Sequence, residues 1–183
     1  MRVDVGTGLL DEARYVPSPN CDERPDAEIS VLVIHGISLP PGEFGGPFIE
    51  ELFTNCLQPD AHPYFAEICS LQVSSHVLIR RDGEVVQFVP FHMRAWHAGE
   101  SHYAGRSRCN DFSIGIELEG ADDIEYAPVQ YERLEQVARA LIEAYPLLHA
   151  ERIVGHCDIS PGRKTDPGPT FDWAALRSRL SVA

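Results

Sequence analysis

The sequence predicts an α/β fold in a single domain, with a central β-sheet, covering helices and a long loop/helix insertion after the first core strand. Three stretches lead to this prediction. Residues 30–35 are an apolar run rich in β-branched side chains, residues 113–119 alternate between two faces, and residues 128–145 repeat apolar side chains at helical spacing. A chain of 183 residues is long enough for one domain with a substantial core.

Charge and cysteine usage narrow the function classes. The formal net charge is −13, which argues against nucleic acid or a membrane surface as a partner. The N-terminus has no basic-then-apolar signal pattern and no apolar run approaches the ~18 residues of a membrane span. The cysteines are odd in number and scattered, which indicates free thiols in a reducing compartment. We therefore expect a cytoplasmic monomer.

The first part of the chain contains one candidate site residue. Residues 1–28 are expected to wrap the domain as coil, with a short edge strand at 13–16. The buried strand at 30–35 ends at His35, and a loop rich in Gly and Pro follows. A histidine beside a core is more often structural, but the end of a buried strand is where site residues usually stand. The insertion at 38–73, with a helix at 47–55, is either a cleft wall or plain packing.

The middle of the chain predicts a hairpin and a second core strand. Residues 76–89 form the hairpin around Asp82-Gly83. Trp96 follows, either as core or as a platform for a sugar ring, and His97 is expected to be a structural histidine. In strand 113–119 the polar face includes Gly115, which would leave room for a ligand, and Glu117. A carboxylate there is costly unless it is paired, near a metal or at a solvated strand end.

The last third of the chain covers the sheet and supplies the densest polar motif. Helices are expected at 128–145 and 171–180, with a short strand at 153–154 between them. The motif is an irregular loop at 155–169, which contains His156, Lys164 and Asp166. Together with His35, it offers two imidazoles and one carboxylate, the donor types of a catalytic zinc site. Cys157 is not expected to be a ligand.

Lysine usage draws attention to the same loop. Of 15 lysine and arginine residues, the single lysine is Lys164. Chance placement is one interpretation. The other is that a compact ammonium is needed at this position in place of a planar guanidinium.

Five segments carry a resemblance to a known family. They are VIHGISLPPGEFGGP (33–47), HVLIRRDG (76–83), RAWHAG (94–99), CNDFSIGIELEG (109–120) and GHCDISPGRKTDPGP (155–169). In this order they resemble the type 2 N-acetylmuramoyl-L-alanine amidases, and most of all the cytoplasmic members that act on anhydro-muropeptides in Gram-negative bacteria. The wider family includes animal peptidoglycan recognition proteins. The resemblance implies a mixed β-sheet flanked by helices, one zinc ion, and hydrolysis of the amide between muramic acid and L-alanine in cell-wall recycling.

The resemblance also implies roles at matching positions. His35, His156 and Asp166 match the zinc ligands, Glu117 the catalytic glutamate, and Lys164 the cation near the scissile carbonyl.

Other matching positions concern the substrate. Trp96 and Arg108 match positions implied to contact its sugar and peptide parts. Gly36 and Gln72 depart from the pattern, since asparagine and arginine are common there, and both departures would affect substrate selectivity.

Two alternatives to a recycling amidase remain. One is a muropeptide-binding sensor without catalysis, which the presence of the ligands and of Glu117 disfavours. The other is a lytic amidase that acts on intact peptidoglycan.

Overall fold

The computed structural model describes residues 1–181 and has one six-stranded sheet at its centre. Over these residues the strands are β1 (Val3–Asp4), β2 (Leu9–Leu10), β3 (Arg14–Tyr15), β4 (Cys21–Glu23), β5 (Val31–Ile37), β6 (Val77–Ile79), β7 (Val85–Gln87), β8 (Met93–Ala95), β9 (His102–Tyr103), β10 (Arg106–Ser107), β11 (Ser113–Glu119) and β12 (Ile153–Gly155). The α-helices are α1 (Phe48–Phe53), α2 (Phe65–Ile68), α3 (Pro128–Ala144), α4 (His156–Ile159) and α5 (Trp173–Ser181). Short 3-10 helices span Cys109–Asp111 and Ala150–Arg152.

The central sheet is mixed, as the family resemblance implied. Its strand order is β12-β5-β11-β6-β7-β3. The first four strands are parallel, β6 and β7 form the antiparallel hairpin, and β3 adds an edge strand parallel to β7. The single-domain α/β prediction is therefore confirmed.

The parallel strands β5 and β11 lie in the interior of the sheet, where side chains are buried on both faces. Every residue of β11 is buried, and so is β5 from Val31 to His35. Parallel strands need cover on both sides, which explains the apolar run of β5. Their register places Glu117 directly beside His35. On the other side of β5, Gly155 of β12 pairs with Ile34, so His156 follows at the same sheet edge.

Helix α3 covers one face of the sheet and begins at Pro128, as predicted. Its buried side chains are Gln130, Tyr131, Leu134, Val137, Ala138, Ala140 and Leu141. Gln130 fixes the start of the helix, because its side-chain amide donates to the carbonyl oxygens of Ile79 and Glu119. No helix within residues 1–181 is long and apolar enough to cross a bilayer.

Three local predictions need correction. Residues 1–28 were expected to be coil apart from one edge strand, but they also contain the short strands β1, β2 and β4. The loop at 155–169 was expected to be irregular throughout, but its first residues form helix α4. Gly115 on the polar face of β11 was expected to leave room for a ligand, but Ser113, Gly115 and Glu119 are all buried on that face. The physical reason is the segment after β8, which packs onto this face and brings the ring of His97 against Gly115.

The N-terminal segment is attached to the sheet through one buried side chain. Gln87 is fully enclosed, and its side-chain oxygen accepts a hydrogen bond from the backbone N–H of Leu10 at 2.8 Å. Its amide nitrogen donates to the carbonyl oxygens of Gly8 and Val89 at 2.9 and 3.1 Å. The buried N–H of Leu10 and carbonyl of Val89 therefore depend on Gln87, whereas the carbonyl of Gly8 also accepts from the backbone N–H of Phe91 at 2.9 Å.

We predict that Gln87→Leu lowers the free energy of unfolding by about 3 kcal/mol, because it keeps the bulk but leaves the Leu10 N–H and the Val89 carbonyl without partners. The measurement is the urea midpoint at an unchanged denaturant slope. Gln136→Leu on the exposed face of α3 is the matched control, with an expected change below about 0.5 kcal/mol. Equal stabilities for the two variants would contradict this role of Gln87.

Candidate metal centre and its cleft

The candidate ligands meet at the carboxyl ends of neighbouring parallel strands, where ligands of α/β proteins commonly bind. His35 lies near the end of β5, and His156 is the first residue of α4, directly after β12. Asp166 comes from the loop that follows. Its carbonyl oxygen accepts a hydrogen bond from the backbone N–H of Cys157 at 2.9 Å, which ties that loop to α4.

Three donor atoms form a compact triangle. The Nδ1 atoms of His35 and His156 are 2.9 Å apart, and Asp166 Oδ2 lies 3.3 Å from the first and 3.0 Å from the second. Ligands of a tetrahedral zinc ion are separated by about 3.3 Å, given Zn–N distances of about 2.0–2.1 Å. Within residues 1–181 these three residues form the group of His, Cys, Asp or Glu side chains that could hold a metal, and Cys157 is not part of it.

The outer nitrogens of the two histidines show where their protons lie. His156 Nε2 is 3.2 Å from the carbonyl oxygen of Ala98, which can only accept and lies nearer than the guanidinium of Arg163 at 3.5 Å, so we assign the proton of His156 to Nε2. The hydroxyl of Ser113 donates to the carbonyl of Cys109 at 2.6 Å, so its oxygen accepts from His97 Nε2 at 3.2 Å. Neutral His97 then has a free lone pair on Nδ1, which accepts from His35 Nε2 at 2.9 Å.

This proton arrangement decides whether the site fits a metal. Both Nδ1 atoms present lone pairs to the carboxylate oxygen of Asp166, and no proton lies between the three atoms. Three Lewis bases at these distances repel one another unless a cation lies among them. Two imidazoles and one carboxylate are a catalytic zinc donor set that leaves a coordination position open. The residues present therefore fit zinc.

Burial sets the charge states around the cluster. Burial lowers the pKa of His35 to about 4, and the nearby Asp166 carboxylate only partly opposes this. Burial lowers the pKa of His97 well below its usual value, so that ring is neutral as well.

Glu117 is the second carboxylate of the site. Its Oε1 is 4.0 Å from His35 Nδ1, while its buried Oε2 has no hydrogen-bond partner within the described part of the chain. Burial raises the pKa of Glu117 well above its usual value, Asp166 raises it further, and Lys164 lowers it. An unpartnered carboxylate oxygen at this depth is available to a water or a substrate group.

The cluster opens into a cleft of about 570 Å³. Lys164 and Trp96 line it together with the metal cluster and Glu117. The insertion forms its opposite wall through Leu39, Pro41, Leu52, Phe53, Tyr64, Ile68 and Leu71. Of the two interpretations of the 38–73 insertion, the structure therefore favours a cleft wall.

The remaining sequence-derived positions are placed less centrally. The indole N–H of Trp96 donates to Asp22 at 3.2 Å, which fixes its ring at the cleft. Arg108 is largely exposed, pairs with Asp111 at 3.3 Å and is not among the cleft-lining residues. Gln72 is exposed as well. Beside Gly36 the space is filled by the hydroxyl group of Tyr126.

Sequence reasoning did not identify the residues behind the ligands. His97 was interpreted as structural, and its contact with His35 spans 62 positions in the chain. Asn110 was not singled out, although its side-chain oxygen accepts from the backbone N–H groups of both His97 and Ala98. The small residues Ser113 and Gly115 on β11 were the available signal, because they mark a face that another group approaches closely.

Comparison with known proteins shows the class to which this site belongs. Residues 25–169 match the family model described as N-acetylmuramoyl-L-alanine amidase. This match covers most of the chain, so the chain belongs to the N-acetylmuramoyl-L-alanine amidase family. The enzyme class predicted from the sequence is thereby confirmed.

Particular relatives agree with this assignment. The chain is 63% identical over 175 residues to the 1,6-anhydro-N-acetylmuramyl-L-alanine amidase AmpD of Escherichia coli (strain K12), which covers 95% of either chain. A crystal structure of a selenomethionine AmpD derivative superimposes with a TM-score of 0.95 and 60% identity, over 99% of this chain and 100% of that one. The amidase AmiD of E. coli, in complex with anhydro-N-acetylmuramic acid-L-Ala-D-gamma-Glu-L-Lys, matches with a TM-score of 0.60 and 31% identity, over 93% of this chain and 60% of that one.

The contact between Gly36 and Tyr126 yields a prediction about the cleft floor. A methyl group on Gly36 would collide with the hydroxyl group of Tyr126, which donates to the carbonyl of Pro167 at 2.8 Å. We expect Gly36→Ala to cost about 1–3 kcal/mol of unfolding free energy through this overlap. Tyr126→Phe removes the hydroxyl group and should cost about 1–2 kcal/mol.

The double variant tests the cause. Without the hydroxyl group the next ring atom lies 3.6 Å from the added methyl, so Gly36→Ala should cost almost nothing in the Tyr126→Phe background. Urea unfolding of all four proteins gives the coupling free energy, expected to be about 1 kcal/mol or more. Strictly additive effects would show that the collision is not the cause.

Proposed function

We propose that the protein is a zinc-dependent amidase that hydrolyses the bond between (anhydro-)N-acetylmuramic acid and L-alanine in muropeptides, in cytoplasmic cell-wall recycling. The observation that carries the proposal is the triangle of His35 Nδ1, His156 Nδ1 and Asp166 Oδ2, with Glu117 beside it in the cleft. Membership of the amidase family supports the reaction type.

The proposed metal would be held by His35, His156 and Asp166. When bound, zinc supplies a Lewis acid that lowers the pKa of a water and polarises a carbonyl group. Glu117 acts as the proton carrier, since its unpartnered Oε2 can take the proton of the attacking water. It then returns the proton to the amine of L-alanine as the amide bond breaks.

Lys164 is proposed to stabilise the negative charge that develops on the scissile carbonyl oxygen. Its side chain lines the cleft with the metal cluster, and its charge reaches Glu117 and His35. A fixed cation beside the developing oxyanion lowers the barrier, because its attraction for the carbonyl oxygen is stronger in the transition state than in the ground state. An ammonium places this charge more compactly than a guanidinium, which accounts for the single lysine of the chain.

The proposed substrate follows from similarity and from the cleft. The E. coli relative at 63% identity is named 1,6-anhydro-N-acetylmuramyl-L-alanine amidase, and the AmiD complex holds an anhydro-muropeptide. A cleft of about 570 Å³ suits a sugar with a short peptide. Trp96 offers its ring to the sugar. Arg108 remains a prediction for the peptide part, reached from the exposed rim.

The proposed compartment is the cytoplasm. All five cysteines are free thiols, which suits a reducing environment. A soluble muropeptide is the substrate available there, whereas a lytic amidase would meet intact peptidoglycan.

The test of the proposal uses purified protein and two substrates. We expect the zinc-loaded protein to release the peptide from anhydro-N-acetylmuramyl tripeptide, with one zinc per chain by elemental analysis. Dialysis against a chelator should abolish turnover, and added zinc should restore it. The measurement is chromatographic quantification of the released peptide.

Three results would overturn parts of this proposal. Undiminished turnover in metal-free protein would refute the role of zinc. Binding of the muropeptide without turnover would indicate a sensor. Faster release from intact sacculi than from the soluble muropeptide would indicate a lytic amidase.

The role of Glu117 gives a separate prediction. Glu117→Gln keeps the shape of the side chain but cannot accept the proton, so kcat should fall at least ~100-fold. Calorimetric titration should show a muropeptide affinity close to that of the wild type, and elemental analysis should show the same zinc content. Glu132→Gln on the exposed face of α3 is the matched control and should leave kcat unchanged. A fall in kcat of less than tenfold for Glu117→Gln would rule out the proton-carrier role.

A further inference from the structure

Both candidate histidine ligands are held from behind by one short segment. The Nε2 atom of His35 contacts the ring of His97, and the Nε2 atom of His156 contacts the carbonyl oxygen of Ala98. Residues 97 and 98 are consecutive. A single displacement of this segment would therefore disturb both ligands together.

The side chain of Asn110 fixes the position of this segment. Its Oδ1 atom accepts hydrogen bonds from the backbone N–H of His97 at 3.2 Å and of Ala98 at 2.8 Å. Asn110 is itself anchored, since its backbone carbonyl oxygen accepts a hydrogen bond from the guanidinium of the largely buried Arg24 at 3.0 Å. The carbonyl of Ala98 also accepts from Arg163 at 2.7 Å, which leaves it little freedom to rotate.

Strand β11 supplies the space and the partner for the His97 ring. A Cβ atom on Gly115 would lie 2.5 Å from His97 Cγ, so a larger residue at 115 would exclude the ring from its place. Ser113, two residues earlier on the same face, accepts from His97 Nε2. The orientation of His97 is thus fixed by a glycine, a hydroxyl and the backbone clamp of Asn110.

We propose that His97 and Asn110 are positioning residues of the metal centre, which fix the tautomer and orientation of both histidine ligands. This inference rests on the proposed zinc function. His97 accepts the Nε2 proton of His35 and thereby presents the bare Nδ1 atom to the metal. Without this acceptor, His35 can move its proton to Nδ1 and donate to Asp166 Oδ2, 3.3 Å away. Zinc must then displace that proton before it can bind.

Zinc affinity of three variants tests the proposal. His97→Phe keeps an aromatic ring but offers no acceptor, and it should weaken zinc binding 10- to 100-fold. His97→Asn places an amide oxygen near the position of Nδ1 and should recover affinity to within a few-fold of the wild type. His149→Phe, at an exposed histidine away from the site, should leave affinity unchanged. The probe is Zn²⁺ alone, in competition with a chromophoric chelator.

A spectroscopic measurement separates positioning from a general loss of structure. In metal-free protein, ¹⁵N chemical shifts of the His35 ring should report the Nε2–H tautomer in the wild type and in His97→Asn. In His97→Phe they should shift toward the Nδ1–H form. Should His97→Phe not fold, Asn110→Ala should weaken zinc binding about tenfold, and Asn110→Asp, which keeps the accepting oxygen, should restore it.

The outcomes distinguish the two proposals. A wild-type protein without zinc affinity refutes the proposed zinc function, while the tautomer of His35 still tests the role of His97. Wild-type zinc affinity and an unchanged tautomer in His97→Phe, or equal affinities for Asn110→Ala and Asn110→Asp, refute the positioning role.

Discussion

Two imidazole lone pairs and one carboxylate oxygen, held 2.9–3.3 Å apart without a proton among them, are the constraint on which the site depends. Such an arrangement is unfavourable by itself, so the protein must hold it from outside. It does so at the ends of parallel strands: β5, which carries His35, is paired on both sides, and β12, which leads to His156, is paired with β5. Acceptors behind each ring then remove the freedom to rotate or to exchange tautomers.

The register of β5 and β11 makes the geometry of the site depend on the sequence of these two strands. His35 and Glu117 are direct neighbours across β5 and β11, and the strands are buried on both faces. A shift of one residue would turn Glu117 to the opposite face and bring a large apolar side chain to the cleft. The apolar residues Ile114, Ile116 and Leu118 prevent that shift, because their burial against the core would be lost. Core packing therefore specifies the geometry of the chemistry.

The sequence was sufficient for much of the fold and for the candidate ligands, but for different reasons. The strands and α3 follow from local periodicity, which one chain shows directly. The convergence of His35, His156 and Asp166 was implied by the family resemblance, since no spacing rule joins residues so far apart. The contact of His97 with His35 and the clamp of Asn110 left no local signal, because they arise from a loop that packs across the sheet. The exposed position of Arg108 depends likewise on the course of a loop.

The polar face of β11 connects these parts of the site. Along this face Ser113 orients His97, Gly115 leaves space for its ring, and Glu117 faces the cleft. Glu119, the last in the series, holds the insertion that forms the opposite wall. Its carboxylate accepts from the backbone N–H groups of Gly45 at 2.6 Å and of Arg81 at 3.1 Å. Because alternate residues of a strand share one face at a fixed rise, this strand sets the distances between the outer shell of the metal centre, the proposed base and the cleft wall. The alternating pattern of β11 that predicts a strand therefore also sets the spacing of these groups in the site.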